Sequence, residues 1–507
     1  MIEGFIHNRR ARVIFSGSLI AIAALVFFYF ISRQGPSYKE LIVAFGGLLV
    51  AVIVFGRERG IRYGFVLWVL TLTLGYRTVA VTSHLALHPA EILLWLLLVC
   101  VFAQRGLISR ARLSFPIWLW LLMPFWVLAW WPMISRDMPW DRMLNEFRDF
   151  LLLIPLIIVA SVVLKHERYW RYLLLAFFVA SSAIALMGTV EYWFPEIIRL
   201  FPAFIGKTAK PSITAEGFAR AQFAFWGGPP ATFICVLALP TCIALMMWWR
   251  RRLHRAAIVA ASLLQILAIY IGGYRSIWLL LLIQILVACV LRLRKQGAIV
   301  ALLCVVIAVG GYELIPRTNE RAMSGIAALQ GRPTDSSAAG RKRRALEAID
   351  TTIEAPFGSG WSSAGWVHSD FLQVAVNLGI IAGLIFFGGC AYTLMRLGRR
   401  VLPSVRSGEH GDLGLSLLLS FIAVAGILAM EGATVLPQLV LPVWFVWALV
   451  EVWLRQPAEV REFNRAAIPH PYQLAAMRLS PGLKTDGRKV MHIPLYRSAA
   501  RTWPERE

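Results

Sequence analysis

Along most of the chain, long uninterrupted apolar runs alternate with short polar and basic segments. That rhythm is too long for strands and too apolar all round for helices that keep one face in water. The runs are roughly 17 to 25 residues, the length a helix needs to cross a hydrocarbon layer. About fourteen can be placed by hydropathy: 13–31, 40–55, 63–81, 89–103, 115–134, 150–164, 172–194, 230–249, 256–272, 277–291, 298–315, 369–395, 413–430 and 437–454. The pattern predicts an all-α fold, a polytopic transmembrane helical bundle of about fourteen helices, occupying residues 1–454. Residues 455–507 are polar, basic and proline-containing. They read as a cytoplasmic, partly disordered tail.

Loop charge orients the bundle. With the N-terminus in the cytoplasm, RERGIR, AQRGLISRAR, KHERYWR, RRRLHR, RLRKQG and RLGRRVLPSVR all fall on the cytoplasmic side. Each carries about three or four Lys or Arg, which is the positive-inside bias. An even helix count with both termini inside follows. Merging the runs at 63–81 and 89–103 would invert the basic loops downstream of them, so they count as two. Three outward segments are then long enough to hold a site: 135–149, 195–229 and 316–367, the last being a large periplasmic loop. Within it, RKRRALEAIDTTIEAPFGSGW brings Leu346, Ile349 and Ile353 round at helical spacing. An amphipathic helix against the membrane or the bundle is expected, ending before Pro356 because a residue preceding proline leaves the αR region.

Composition agrees and removes alternatives. With 58% hydrophobic residues, 16% charged residues and a mean hydropathy of +0.66, the chain falls outside the common soluble classes. A net charge of +23 invites a nucleic-acid reading, but the cations sit in the short loops and read as topogenic, so no nucleic-acid partner is expected. The six cysteines, Cys100, Cys235, Cys242, Cys289, Cys304 and Cys390, all lie inside apolar runs. No spacing suits zinc, so neither a disulfide nor a metal is expected. The first run follows MIEGFIHNRRARV without a small-residue cleavage site, which predicts a retained helix and not a signal peptide. No Walker loop or GxGxxG is present.

Three places look chemical. Arg275, in YIGGYRSIWLLLL, stands between two apolar runs at the outward surface. An arginine there is costly unless it snorkels or meets an anion; the alternative is an interfacial anchor between Tyr274 and Trp278. Gly272 and Gly273 before it permit a tight turn and close approach to a ligand. His368 stands where the large loop re-enters the membrane and can take up a proton near neutral pH. Asp370 is placed either to orient it or, with Ser369, to cap the next helix. The run Arg341, Lys342, Arg343, Arg344 is a cationic block on the side that topology leaves poor in cations. At 100° per residue Arg344 points away from the apolar stripe, Arg341 and Arg343 flank it and Lys342 lies on it. Guanidinium forks suit phosphate, so a phosphate-bearing lipid headgroup is the natural partner, with a solvated patch as the alternative for Arg343.

At these residues the chain resembles the O-antigen ligase and polymerase superfamily of bacterial envelope glycosyltransferases. The likeness rests on YRSIW around Arg275, on Gly340–Arg341 followed by a helix and the turn PFGSG with Pro356, Gly358 and Gly360, and on His368 opening VHSDFLQVAVNLGIIAGLIFF. It covers about 218–387. The chain departs from the family pattern in three respects: Pro229 and Pro230 replace a PN pair, Ser369 follows His368 in place of asparagine, and Ala345 stands where a tryptophan is common.

The resemblance implies a glycosyltransferase C-like membrane enzyme of the bacterial inner membrane, without cofactor or metal. It would transfer a glycan from an undecaprenyl-pyrophosphate donor to the hydroxyl of a glycan or lipid acceptor on the periplasmic face. On this reading Arg275 and Arg341 stabilise the diphosphate leaving group, and His368 takes the acceptor proton or positions the hydroxyl. Arg344, Arg220 and Asp370 are weaker candidates for the same site. Ligase and repeat-unit polymerase share this chemistry. A transporter or flippase is the competing class, disfavoured because the charges gather at the outward rim and not at the midplane.

Overall fold

The computed structural model describes residues 58–72, 79–80, 86–104, 113, 115–135, 140–165, 167–194, 212–213, 219–221, 223, 231–249, 251–292, 336–361, 367–406, 412–433 and 437–456. The predicted spans 13–31, 40–55 and 298–315, the first part of the large loop and the basic tail lie outside them. The chain divides into units Met1–Arg455 and Gln456–Glu507, and every described element belongs to the first.

That unit is helical, as expected: α1 (Glu58–Thr71), α2 (Pro89–Ala103), α3 (Ile117–Leu128), α4 (Trp131–Ile134), α5 (Trp140–Leu151), α6 (Leu153–Val163), α7 (Glu167–Trp193), α8 (Ala231–Ala238), α9 (Thr241–Trp248), α10 (Arg252–Gly272), α11 (Arg275–Arg292), α12 (Ser336–Glu354), α13 (Asp370–Leu378), α14 (Ile380–Arg406), α15 (Asp412–Met430) and α16 (Pro437–Arg455). Among the described residues the strands are two short antiparallel hairpins, β1 (Val79–Ala80) with β2 (Ala86–Leu87), and β3 (Ser212–Ile213) with β4 (Ala219–Arg220). Among the described residues five helices are long and apolar enough to cross a membrane, six if the bent pair α8–α9 counts as one.

The run at 115–134 divides into α3 and α4, and four further differences from the hydropathy reading have a local reason. The run at 63–81 contains Gly75 and Arg77; its helix begins earlier, at Glu58, and the far end of the run belongs to β1. The segment 135–149, expected to be an outward loop, carries α5. There Trp140, Leu144, Phe147 and Leu151 recur at helical spacing, which is enough for an amphipathic helix. The run at 230–249 bends by 46° between α8 and α9, where Pro240 supplies no backbone N–H and its ring displaces the preceding carbonyl. The run at 369–395 breaks at Gly379, whose φ of +99° ends α13. α13 folds back sharply on α14: a methyl at Gly383 would lie 2.7 Å from the Ala375 Cβ, eight residues away, whereas a straight helix separates such positions by about 12 Å.

α16 is the central post. Leu439 through Val450 are all buried, and the helix packs against α6, α8, α14 and α15. Apolar all round, it is enclosed by protein. Outer helices show the opposite: Leu263 on α10 and Leu384 on α14 are exposed, as side chains facing lipid are. Small residues and amides bring helices together. A methyl at Gly426 of α15 would lie 2.1 Å from Leu280 of α11. The buried Gln284 amide of α11 donates to Val236 O on α8 and Leu419 O on α15 at 3.1 and 2.9 Å. These contacts seat α11, and with it Arg275, beside the end of α15.

Candidate functional site

The site forms where α11 begins, α15 ends and α12 and α13 meet. α12 runs to Glu354 and stops as expected before Pro356. The turn after it crosses the α13–α14 break backbone to backbone: Ser359 N donates to Val376 O at 2.8 Å, Gly360 N to Asn377 O at 3.0 Å, and Ile380 N to Pro356 O at 3.0 Å. Only glycine fits at two of the crossing points. Gly358 and Gly379 both have positive φ, and a methyl on either would lie under 3 Å from the opposite backbone. Trp361 anchors the turn, fully buried, its Nε1 donating to Trp126 O at 3.2 Å and its ring against Phe147 and Phe150. The PFGSGW segment is thus a latch that fixes α12 over the start of α13.

This latch brings two of the sequence candidates, Arg344 and His368, into contact and sets Arg341 close enough for its charge to reach the imidazole. On α12, Ala348 and Thr352 are buried while Leu346, Ile349 and Ile353 are exposed, as is Phe357 in the turn after it. The apolar stripe therefore faces away from the bundle, and the helix packs on α13 through its small residues. Arg344, which helical geometry points away from that stripe, places Nη1 3.3 Å from His368 Nε2. One turn earlier, Arg341 Nη1 donates to Glu431 Oε1 at 3.1 Å and to Met430 O at 3.4 Å, both at the end of α15. Gly340 has open space around it, so no crowding demands a glycine before Arg341. Arg343 is exposed and pairs with Glu347 on its own helix.

His368 adopts φ +50°, a left-handed conformation that an L-residue enters only at a cost. It sets the ring against α12 just ahead of α13. Partial burial, and then the neighbouring Arg341 and Arg344 guanidiniums, push its pKa down to about 4. The imidazole is therefore neutral at physiological pH, and since a guanidinium can only donate, Nε2 is its acceptor.

Asp370 is fully buried, and its Oδ2 accepts from Ala433 N at 2.6 Å. It thereby ties the start of α13 to the turn after α15. Ser369 occupies the N-cap of α13 without a side-chain cap bond. The glycine pair before Arg275 makes the expected tight turn and a close helix contact. Gly273 takes the left-handed C-cap of α10, and a methyl at Gly272 would lie 2.3 Å from Thr232 of α8. Arg275, half-buried, opens α11. The next residue, Ser276, donates from Oγ to Glu431 Oε1 at 2.5 Å. Arg220 lies on β4 with its side chain outside the described residues. Its strand is held beside the α10–α11 turn by Ala221 N donating to Ile271 O at 2.9 Å, and Phe223 fills the notch left by Gly188 of α7.

Glu431 and Ser276 are the members that reading the chain for motifs does not assign. Glu431 had one signal: a carboxylate at the end of an apolar run, which needs a cationic or hydrogen-bonding partner. Apart from this cluster, Arg148 of α5 lies between Glu91 of α2 at 2.8 Å and Asp149 at 3.0 Å, all three deeply buried. Glu91 also accepts from His88 N, and the His88 ring from Ala90 N, closing a capping box at the start of α2. Chemically, the rim cluster offers two guanidiniums and a neutral imidazole close together, a set suited to holding an oxyanion beside a proton acceptor. Comparison of the chain with family models and with curated proteins returned no match.

Proposed function

We propose that the protein is a membrane glycosyltransferase of the O-antigen ligase type, acting on the periplasmic face of the bacterial inner membrane. It transfers a glycan from undecaprenyl pyrophosphate to an acceptor hydroxyl. The observation that carries this reading is the convergence of Arg341, Arg344 and neutral His368, with Arg275 one residue from the Ser276–Glu431 bond.

In the reaction the acceptor oxygen bonds to the anomeric carbon of the donor sugar while the bond from that carbon to the pyrophosphate oxygen breaks. The electron pair leaves with the lipid pyrophosphate, and the acceptor proton passes to His368 Nε2. Arg341 and Arg275 take the charge that grows on the leaving group, a contribution typically worth about 10²–10³ in rate per donor. Arg344, bonded to Nε2 without substrate, turns to the diphosphate and frees the lone pair. No group in this scheme other than the side chains is needed to hold or move the proton.

The glycan profile of a deletion strain tests the reading. A ligase leaves uncapped lipid core and accumulated lipid-linked donor; a repeat-unit polymerase leaves single repeat units. Unchanged glycans together with altered solute uptake would reject glycosyl transfer in favour of transport.

A further inference from the structure

Every element of the rim cluster bonds to one four-residue segment, Met430 to Ala433. Arg341 of α12 reaches Glu431 Oε1 and Met430 O. Ser276 of α11 reaches the same Glu431 oxygen. Asp370 of α13 receives Ala433 N, which Gly432 at φ +63° turns towards it. Glu431 remains tied to α15 through its own N–H to Ile427 O at 2.9 Å, so its carboxylate is fixed to a rigid helix. The ion pair is lopsided: the Glu431 side chain is 3% exposed and that of Arg341 36%. The acid is inside and the guanidinium reaches out from it. Among the described residues Arg341 is held by Nη1 alone, so Nε and Nη2, the rest of its donor fork, point away from the anchor.

We infer that Glu431 is the positioning residue of the anion site, gripping one corner of Arg341 and locking it to the Arg275–Ser276 end of α11, so that the free edge of the guanidinium meets a pyrophosphate beside His368. This rests on the glycosyl-pyrophosphate reading of the site. It also makes a prediction opposite in sign to simple charge counting. Removing a carboxylate from an anion site should tighten anion binding by Coulomb's law. Removing a positioning carboxylate should weaken it.

The experiment uses the full-length protein in nanodiscs, with inorganic pyrophosphate as the probe. Glu431→Ala and Glu431→Gln are placed in the native and the Arg341→Ala backgrounds. Glu431→Ala is expected to raise the pyrophosphate Kd about tenfold or more, the worth of a charge-assisted hydrogen bond. Glu431→Gln keeps an acceptor oxygen for Nη1 and for Ser276, and should stay within about threefold of the native protein. In the Arg341→Ala background Glu431→Ala should add nothing. Tighter or unchanged binding by Glu431→Ala, or equal weakening in both backgrounds, overturns the inference. Should Glu431→Ala fail to fold, a tenfold loss in Glu431→Gln overturns it as well. If the native protein does not bind pyrophosphate, the anion-site reading falls. The positioning claim falls with it, whereas native binding that Glu431→Ala leaves unchanged or tightens overturns the positioning claim alone.

Discussion

The buried cluster around Arg148 and the cluster around Arg341 and His368 are built on opposite plans. In the first, Arg148 is enclosed between Glu91 and Asp149, with side chains 8, 2 and 5% exposed. The Asp149 carbonyl accepts from the Trp444 indole of the central helix at 2.7 Å. In the second, the Arg344 guanidinium faces a neutral ring in place of an acid, and Arg341 leans out of the protein from its buried anchor. A charge compensated on every side in a low-dielectric interior has nothing left to offer a ligand; it specifies how helices meet. A cation with donors to spare at an opening is expensive to keep, and a ligand supplies what it lacks. The location of uncompensated positive charge, more than the number of buried ions, separates scaffold from site.

The largest test of that distinction is at Arg148. Arg148→Ala leaves Glu91 and Asp149 buried without the cation between them, at a cost of about 3–5 kcal/mol. The variant should fail to accumulate in the membrane or should unfold at a much lower temperature once extracted. Arg344→Ala, at the exposed contact, should shift stability by less than about 1 kcal/mol. Equal thermal shifts for the two variants would dissolve the contrast.

The second test exchanges stability for activity. His368→Ala should accumulate to the native level and melt within a few degrees of it, yet lose about 10²–10⁴ in transfer rate, the usual worth of a positioned base. Full restoration of the glycan in the deletion strain by His368→Ala would remove the imidazole from the mechanism.

The same contrast explains how far the chain could be read without its structure. The rim cluster was largely legible. Arg341, Arg344 and His368 stand within one polar segment whose helical spacing and Pro356 stop signal are local, and helix geometry alone turns Arg344 off the apolar stripe towards the ring it meets. The buried cluster was not, because Glu91 and Arg148 are far apart in sequence and nothing in either segment announces the other. The capping-box spacing of His88 and Glu91 accounts for the start of α2 without hinting at Arg148. Hydropathy also says nothing of what surrounds an apolar residue. The central helix α16 and the lipid-type faces of α10 and α14 score alike, although one is enclosed by protein and the others are not. For the same reason the break at Gly379 was hidden, apolar residues continuing on both sides of it, whereas the Gly358–Gly379 crossing shows at once why both must be glycine. Glu431 was visible as an oddity and not as an anchor, since its partners Ser276 and Arg341 come from two other helices, α11 and α12.

The smallest effect is the most specific to the rim plan. His368 has its pKa pushed down to about 4, first by burial, then by Arg341, then by Arg344. A folded-state pKa below the ordinary 6.5 means the unfolded chain binds the proton more readily. The contribution of His368 to stability is therefore complete above pH 6.5 and is lost as pH falls through about 4. In the ligand-free protein, NMR of the labelled imidazole should show it neutral at pH 6 and titrating near 4. Arg344→Gln should raise that midpoint modestly, and Arg341→Gln more, in the order of their influence. Pyrophosphate should raise it further in the native protein, because an anion between the two guanidiniums cancels the field that holds the proton off. Binding and proton affinity would then be reciprocal, making the base stronger only once the donor is seated. An imidazole that titrates near 6.5 and ignores both substitutions would show that the guanidiniums exert no field on it and that the rim is compensated after all, like the cluster around Arg148.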